Sequence, residues 1–449
     1  MTEHPALELI LSIVFLLSVI MIWFMIAYQL VLTLAGFFHF RSSLKERRAI
    51  DKKHFDFPNV SVLIPAHNEE KVIARTVEAM LKLDYPRERI DILVINDGSN
   101  DSTAQIVSRY VDRDSRVRLF NVPPGEGGKG KSRALNLGLK QTDAEFIAVY
   151  DADNTPDPLA LRYLMAEILS DNTLGAVLGK FRTVNKNRNV LTRFINIETL
   201  SFQSMLQAGR WKLFKVATLP GTNFVVRHHL LDTLGGWDED AITEDSELSI
   251  RIYMEEYRIK YVPYSVTYEQ EPETWTTWAK QRTRWVRGNN YVGTKFLKAV
   301  SKLKNKILAV ELLYLLSLYY LFLVAIVGSD LIFLLGAFNV INISLPGPYT
   351  TVWFVALFLF LLEILLALSY DREDKFSNIL LTFLMYFTYC QFWIYIVGKA
   401  FYLDVIKKEK RTWVKTIRFD VQPEYSETLD NSDTSSPAKE NSERPSGKL

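Results

Sequence analysis

Residues 146–153 read FIAVYDAD, a short run of strand-forming residues that ends in two carboxylates, Asp151 and Asp153. The first five of these residues, Phe146–Tyr150, are typical of a buried β-strand. Carboxylates at the mouth of a strand supply the oxygen ligands that a hard cation prefers, although acidic pairs at this spacing usually lie in solvent and bind nothing. The stretch therefore predicts a strand. A ligand site at the end of this strand is predicted only if the neighbouring sequence also supports one.

Two similar runs precede it, Val60–Pro65 and Ile90–Asn96, and a segment of helical character follows each of them. Strands that alternate with helices predict an α/β fold with a mainly parallel sheet, which binds ligands at the carboxyl ends of its strands. Polar turns stand at both of these ends, at Pro65–Glu70 and Asp97–Ser102. Either turn alone would be interpreted as helix capping, but two in register favour a nucleotide site.

A glycine-rich, basic loop, Gly125–Lys131, precedes the FIAVYDAD run. Its flexible backbone could bring Lys129 or Lys131 to phosphate oxygens. A plain solvated loop explains this segment about equally well when it is taken alone.

The overall composition excludes several other classes of protein. Lys and Arg number 53 against 51 Asp and Glu, for a net charge of +2, so the chain lacks the positive field of a nucleic-acid binder. The single cysteine, Cys390, cannot form an intrachain disulfide, and the six histidines show no zinc-ligand spacing with it. We therefore expect no nucleic acid among the partners, no disulfide scaffold and no zinc site.

The apolar residues are concentrated at the two ends of the chain. Ala6–Phe40 is almost uncharged, is longer than the roughly 20 residues that cross a bilayer core, and lacks the features of a cleaved signal peptide. Basic residues follow it at Arg41, Lys45, Arg47, Arg48, Lys52 and Lys53. By the positive-inside rule, the N-terminus is expected outside and the soluble middle in the cytoplasm.

Three further apolar stretches follow the middle, at 307–338, 351–370 and 376–405. Three spans would leave the basic residues of Lys407–Lys415 outside, against the charge rule. Either one of these three stretches is interfacial or re-entrant, or the stretch 307–338 contains two spans. In each case we expect a multi-pass protein of the cell (plasma) membrane whose middle domain lies in the cytoplasm.

The expected division of the chain is an anchor (1–53), a cytoplasmic domain (54–275), interfacial amphipathic helices (276–306), a transmembrane region of about three spans (307–405), and a basic segment with a tail (406–449). Residues 276–306 mix aromatic, aliphatic and basic side chains, as helices on a membrane surface do. After Gln422 too few large apolar residues remain to keep the tail ordered.

Two more motifs complete a recognisable set, Thr243–Asp245 (TED) and Gln281–Trp285 (QRTRW). Together with Asp97 and Asp151–Asp153, in this order, they resemble the processive, membrane-embedded family 2 glycosyltransferases. This family includes the cellulose, hyaluronan, poly-N-acetylglucosamine and mixed-linkage β-glucan synthases. The resemblance covers about 60–288 and implies a GT-A type domain flanked by transmembrane helices, with Mg²⁺ or Mn²⁺ as cofactor.

The resemblance also implies a role for each motif residue. Asp97 would contact the uridine of the donor, and Asp153 would be the metal ligand. Asp245 would be the general base, and Glu244 would shape its environment. The last motif would hold the nucleotide diphosphate and the acceptor sugar, with Trp285 stacking on the sugar. The segment 218–224 resembles the acceptor side of the family, although a tight turn that needs Gly221 explains it equally well. The loop and the resemblance together give the expected substrate-binding set: Pro65, Ala66, Asn68, Glu69, Asp97, Lys131, Asp151, Gly221, Gln281, Arg284 and Trp285.

A single positioned carboxylate suffices for one displacement with inversion, so an α-linked UDP-sugar would give a β-linkage. A retaining mechanism would call for a separate nucleophile, for which the sequence offers no candidate. With this stereochemistry, the resemblance implies an enzyme that polymerises UDP-glucose or UDP-N-acetylglucosamine into a β-linked extracellular polysaccharide and passes it through its own transmembrane region. Its partners would be the UDP-sugar donor, the growing glycan acceptor and the lipid bilayer.

Two alternatives remain open from the sequence. One is a non-processive membrane enzyme that transfers a single sugar to a lipid or polyprenyl phosphate. The other is a non-catalytic scaffold subunit of a polysaccharide-export complex. The donor sugar depends on pocket contacts that short motifs do not encode, and the involvement of accessory export subunits also stays open.

Overall fold

The computed structural model describes residues 5–338 and 348–411. The strands are β1 (Val60–Ala66), β2 (Ile90–Asn96), β3 (Val117–Asn121), β4 (Phe146–Val149), β5 (Thr155–Pro156), β6 (Leu174–Thr183), β7 (Phe224–Arg227) and β8 (Arg258–Glu269). The helices before the last strand are α1 (Pro5–Lys52), α2 (Ile73–Leu81), α3 (Thr103–Val111), α4 (Lys131–Leu139), α5 (Ala160–Ser170), α6 (Val190–Ser201), α7 (Ala208–Phe214), α8 (His228–Leu234) and α9 (Glu244–Met254). Those after it are α10 (Trp275–Val300), α11 (Lys306–Ala337), α12 (Tyr349–Ser369), α13 (Phe376–Phe387) and α14 (Tyr389–Phe401). Short helical turns lie at Arg87–Arg89, Phe202–Gln207 and Tyr402–Ile406.

The sheet has eight strands in the order β3-β2-β1-β4-β7-β6-β8-β5. Strand β1 pairs in parallel with both β2 and β4, and Val60 faces Ile90 on one side and Phe146 on the other. Because the three strands start in register, their carboxyl ends meet at one edge of the sheet. The predicted polar turns therefore lie side by side, and the predicted α/β fold is confirmed.

The other half of the sheet is mixed. Strand β7 is antiparallel to both β4 and β6, β6 is parallel to β8, and β5 is antiparallel to β8. The sheet is thus parallel around the three strands located from the sequence and mixed beyond them.

The central strands are buried on both faces. Val62, Leu63 and Ile64 of β1 are fully buried, as are Ile92 and Val94 of β2. Side chains of this size each contribute roughly 1.5–3 kcal/mol when they leave water. This burial fixes the strands, and with them the loops at their carboxyl ends.

Within the described residues, four stretches are long and apolar enough to cross a membrane: Leu9–Lys52, Lys306–Gly328, Thr351–Ser369 and Phe376–Ile406. The first of them packs closely on α7, where a Cβ atom at Gly209 would collide with the carbonyl oxygen of Leu32. The α/β domain and the apolar helices therefore share a tight contact.

The loop that follows α12 is held by the α/β domain. Asp371 forms ion pairs with Lys180 and, at 2.6 Å, with Arg182, both on β6. The end of α12 thus lies on the side of the α/β domain.

The last stretch, Phe376–Ile406, is called the broken segment here because its helix is interrupted at Thr388, with φ −123° and ψ −79°. At its start, Arg193 of α6 donates to Asn378 Oδ1 at 2.7 Å. At its end, Arg287 of α10 donates to Asp404 Oδ1 at 2.8 Å. Both ends therefore contact helices that pack on the α/β domain.

Residues 276–306, expected to form several helices, contain a single long one, α10, and the start of α11. Helix α10 is fastened to the α/β domain by Lys295, which lies 2.8 Å from Glu247 Oε1. The position of α10 at a membrane surface and the domain limits drawn from the sequence stay predictions. The expected disordered tail lies outside the described residues.

Candidate active site

One cavity of about 460 Å³ opens at the carboxyl ends of β1, β2 and β4 and reaches as far as α11 and α14. Every site residue expected from the sequence lines it, with the exception of Asn68. The lining members of that set are Pro65, Ala66, Glu69, Asp97, Lys131, Asp151, Asp153, Gly221, Glu244, Asp245, Gln281, Arg284 and Trp285. Motifs that are far apart in the chain are thus brought to one place.

Asp97 occupies the end of the cavity next to β2. Its N–H donates to the carbonyl oxygen of Ala66 at 2.8 Å, and its Oδ1 atom accepts from the N–H of Gly128 at 2.9 Å. Burial raises the pKa of this carboxyl even though the Gly128 hydrogen bond lowers it. Asp97 therefore joins the ends of two strands to the glycine-rich loop.

Asn68 lies behind this wall of the cavity. Its backbone is left-handed, with φ 55°, and its Oδ1 atom accepts from the N–H of Asn100 at 2.7 Å. Its own N–H donates to Ser99 Oγ at 2.9 Å. Asn68 thus ties the turns after β1 and β2 together, and its contact with a donor stays a prediction.

Lys131, the first residue of α4, holds the centre of the site. Its Nζ atom lies 2.6 Å from Asp151 Oδ1, 2.6 Å from the carbonyl oxygen of Gly221 and 3.4 Å from Glu244 Oε1. Burial opposes its charge, but the surrounding carboxylates outweigh this effect and hold the pKa of Lys131 above its ordinary value. Of the two lysines considered in the loop, Lys131 is the one that lines the cavity.

Asp245 lies in the first turn of α9, where its Oδ1 atom accepts from the N–H of Ser246 at 2.7 Å. The pKa of Asp245 is raised to about 7, first by burial and then by the Glu244 carboxylate, against the lowering effect of Lys131. The absence of a side chain at Gly221 lets its backbone lie close to the Asp245 carboxylate, because a Cβ atom there would be 3.0 Å from Asp245 Oδ2. A carboxyl with this pKa can exchange a proton near neutral pH.

The carboxylate of Asp153 suits a cation that arrives together with phosphate. Asp153 is 1% exposed, and its Oδ2 atom accepts from the N–H of Gln270 at 3.1 Å. In the described ranges 5–338 and 348–411, no group of three or more His, Cys, Asp and Glu could hold a metal ion. Mg²⁺ is usually bound by one or two carboxylates together with substrate phosphates, so a site built on Asp153 suits a cation of this kind.

The opposite wall of the cavity is formed by α10. Arg284 donates from Nη1 to the carbonyl oxygen of Ile242 at 3.2 Å, which connects α10 with the chain just before α9. The guanidinium carbon of Arg282 lies 3.9 Å from the centroid of the Trp285 ring. Beyond Trp285 the cavity is lined by Tyr319 of α11 and Trp393 of α14.

The sequence reasoning missed Glu198, which also lines the cavity. It is an acid within α6, a helix whose buried residues include Phe194, Ile195, Ile197 and Leu200. The feature of the sequence that pointed to Glu198 was a single carboxylate among the apolar residues of this helix.

Residues 58–288 match the family described as Glycosyltransferase like family 2. This range covers about half of the chain and contains all four motifs on which the resemblance was based. The chain therefore belongs to glycosyltransferase family 2, as the motifs predicted.

Named relatives support this assignment along about nine-tenths of the chain. A protein of Bacillus subtilis (strain 168) named "Probable glycosyltransferase YdaM" is 43% identical over 409 residues, which are 90% of this chain and 97% of that protein. The poly-beta-1,6-N-acetyl-D-glucosamine synthase of Staphylococcus epidermidis is 28% identical over 416 residues, which are 89% of this chain and 97% of that protein.

A solved structure is similar in fold. The mannosyltransferase PcManGT from Pyrobaculum calidifontis, in complex with GDP-Man and Mn²⁺, superimposes with a TM-score of 0.52 at 21% identity, over 81% of this chain and 99% of that chain. The predicted GT-A fold is thereby confirmed.

Proposed function

We propose that this protein is a processive, inverting glycosyltransferase that polymerises a UDP-sugar into a β-linked polysaccharide and passes it through its own transmembrane region. The observation that carries the proposal is the extent of the cavity. It reaches from Asp97 and Asp153, past Asp245, to Tyr319 and Trp393 of the apolar helices. An enzyme that transfers a single sugar has no need to hold a growing polymer along a path of this length.

We take UDP-N-acetylglucosamine as the first donor to test, and UDP-glucose as the second. The Staphylococcus epidermidis relative is named a poly-beta-1,6-N-acetyl-D-glucosamine synthase, and its match covers 89% of this chain. Because the identity is 28%, activity with a panel of UDP-sugars, and not the name of the relative, decides the donor.

The proposed reaction is a single displacement at the anomeric carbon of the donor. The acceptor hydroxyl oxygen forms a bond to this carbon as the bond to the UDP oxygen breaks. The proton of the hydroxyl passes to the carboxylate of Asp245, whose pKa of about 7 suits the transfer. Attack from the side opposite UDP inverts the configuration, so an α-linked donor gives a β-linked product.

Charge on the departing UDP would be offset by residues of this chain. Arg284 lines the same cavity and supplies a fixed positive charge. Asp153 would hold Mg²⁺ or Mn²⁺, and a bound divalent cation supplies Lewis-acid charge to a diphosphate leaving group. The similar mannosyltransferase structure holds Mn²⁺ together with its nucleotide sugar, which supports the choice of a divalent cation.

The acceptor end of the growing chain would stack on Trp285, with Gln281 beside it. Aromatic rings present a flat apolar surface that suits the face of a sugar ring. This contact does not depend on the length of the glycan. The acceptor can therefore stay bound between transfers.

We also propose three membrane crossings, by α1, α11 and α12, with the broken segment as a re-entrant element. Helix α13 has 12 residues and is about 18 Å long, short of the roughly 30 Å bilayer core. Both ends of the broken segment contact helices of the α/β domain side, through Arg193 and Arg287. This arrangement places the α/β domain and the basic residues after Ile406 in the cytoplasm, and it removes the conflict with the positive-inside rule.

The test is UDP release by the full chain, purified in detergent, with a panel of UDP-sugars and with Mg²⁺ or Mn²⁺. The product is sized and digested with linkage-specific β-glycosidases. A high-molecular-weight, β-glycosidase-sensitive product from one donor is expected, and EDTA should abolish it. Transfer of single sugars to added lipid would contradict the proposed function. Full activity in EDTA would contradict the metal role of Asp153.

A further inference from the structure

Glu198 of α6 accepts hydrogen bonds from two other helices. Its Oε2 atom accepts from Arg282 Nη2 at 2.6 Å and from the Tyr389 hydroxyl at 2.8 Å. Its Oε1 atom accepts from Trp393 Nε1 at 3.1 Å. Because Arg282 belongs to α10 and the two aromatic donors belong to α14, this one carboxylate joins three helices.

Arg282 carries this connection to the acceptor side of the cavity. Its side chain is 1% exposed, it donates from Nη1 to Gln281 Oε1 at 2.9 Å, and it lies against the ring of Trp285. A buried guanidinium needs a counter-charge, and Glu198 provides it. The placement of Arg282 against Trp285 therefore depends on Glu198.

The two aromatic donors stand where the broken segment is interrupted. Tyr389 is the first residue of α14, directly after Thr388, and its hydroxyl also accepts from Trp278 Nε1 at 2.8 Å. Trp393 lies about one turn further on and stacks with Tyr319, with 5.5 Å between the ring centroids. The hydrogen-bond donors Tyr389 and Trp393 thus reach Glu198 from the point where the helix is interrupted.

We propose that Glu198 is a positioning residue for the acceptor. Through Arg282 it fixes the ring of Trp285, and through Tyr389 and Trp393 it makes the position of that ring depend on the broken segment. The inference rests on the acceptor role that the proposed function gives to Trp285. The nucleotide end of the cavity, around Asp97, is outside this network and should be unaffected by its loss.

The experiment compares Glu198→Gln, Tyr389→Phe and Trp393→Phe in the purified full chain. The probes are UDP-N-acetylglucosamine and a β-1,6-linked N-acetylglucosamine pentasaccharide, and the readouts are KM for the pentasaccharide, kcat, product length and the Kd for UDP. Glu198→Gln should raise KM for the pentasaccharide about 10-fold, in line with the strength of the cation–π contact between Arg282 and Trp285. Each aromatic variant removes one hydrogen bond to Glu198 and should raise this KM about threefold. Products should be shorter, while the Kd for UDP stays within about twofold of wild type.

Tyr395→Phe is the matched control, because it makes the same change on α14 at a side chain that is 59% exposed and outside the network. It should behave like wild type. Since Glu198→Gln leaves Arg282 without its counter-charge and could unfold the protein, Tyr389→Phe, which keeps this ion pair, is the deciding variant.

An unchanged pentasaccharide KM and product length in Tyr389→Phe would overturn the positioning role while the proposed function stands. A parallel loss of UDP binding would overturn it too, since it would indicate general damage to the fold. If the wild-type protein polymerises none of the UDP-sugars in the panel, the proposed function fails and this inference fails with it.

Discussion

At the residue scale, the proposed chemistry depends most on Asp245. Asp245→Asn keeps the size of the side chain but removes the base, so turnover should fall by about 10²–10⁴-fold. The variant should still bind UDP, because it leaves Asp97, the proposed uridine contact in the cavity wall, unchanged. UDP release and UDP binding by calorimetry check the two expectations, and normal polymer from the variant would remove Asp245 from the base role.

The pH dependence follows from the same carboxyl. Only its ionised form can accept the proton, and its pKa is raised to about 7, so kcat/KM should rise as the pH increases through about 7. An ordinary aspartate would instead give full activity down to about pH 5. A pH profile of kcat/KM for the donor distinguishes the two, and a profile flat from about pH 5 to 8 would contradict the assignment.

The positions of the motif residues could be predicted from the sequence, but not all of their contacts. Asp97, Asp153 and Asp245 follow recognisable patterns, and the structure places all three around one cavity. Glu198 was not predicted, because its partners Arg282 and Tyr389 are 84 and 191 residues away in the chain. No local pattern encodes contacts of this separation.

At the scale of single elements, the turn around Gly221 determines how closely the site is packed. Its φ of +86° is left-handed, and a Cβ atom would stand 3.0 Å from Asp245 Oδ2 and 3.5 Å from Lys131 Nζ. Gly221→Ala should therefore cost about 1–2 kcal/mol of stability for the backbone conformation. It should also lower kcat about 10-fold or more by displacing the base, an effect of the size that small misplacements cause.

Gly235→Ala is the control for this effect. Gly235 has a similar φ of +75°, and a Cβ atom there would meet nothing within 4 Å. Both variants should lose similar stability in thermal unfolding, but only Gly221→Ala should lose activity. Equal activity in the two variants would show that the close approach to Asp245 has no catalytic consequence.

The elements themselves were predictable to different degrees. The runs predicted at 60–65 and 90–96 are strands in the structure, and the third run ends at Val149, one residue earlier than expected. The antiparallel pairing of β7 with β4 and β6 could not be predicted, since partner strands are selected by tertiary packing rather than by their own sequence. The interruption at Thr388 was also missed, because the apolar pattern continues across it.

At the scale of the whole molecule, the proposed topology predicts the side on which each loop lies. Cys390 is the single cysteine, so a Cys390→Ser background allows single positions to be labelled. Pro348→Cys, at the start of α12, should react with a membrane-impermeant maleimide on intact cells. Lys410→Cys, after the broken segment, should react only once the cells are permeabilised. Labelling of Lys410→Cys from outside would contradict a re-entrant segment and favour a fourth crossing.

The central claim is that the enzyme keeps one glycan bound through many transfers, and the size of the product early in the reaction tests it most directly. The purified wild-type protein is given UDP-N-acetylglucosamine and an excess of the pentasaccharide, and the products are sized when about 1% of the donor has been consumed. A processive enzyme is expected to yield a few long chains while most of the acceptor stays unextended. A ladder in which most acceptors carry one or two added sugars would contradict the claim.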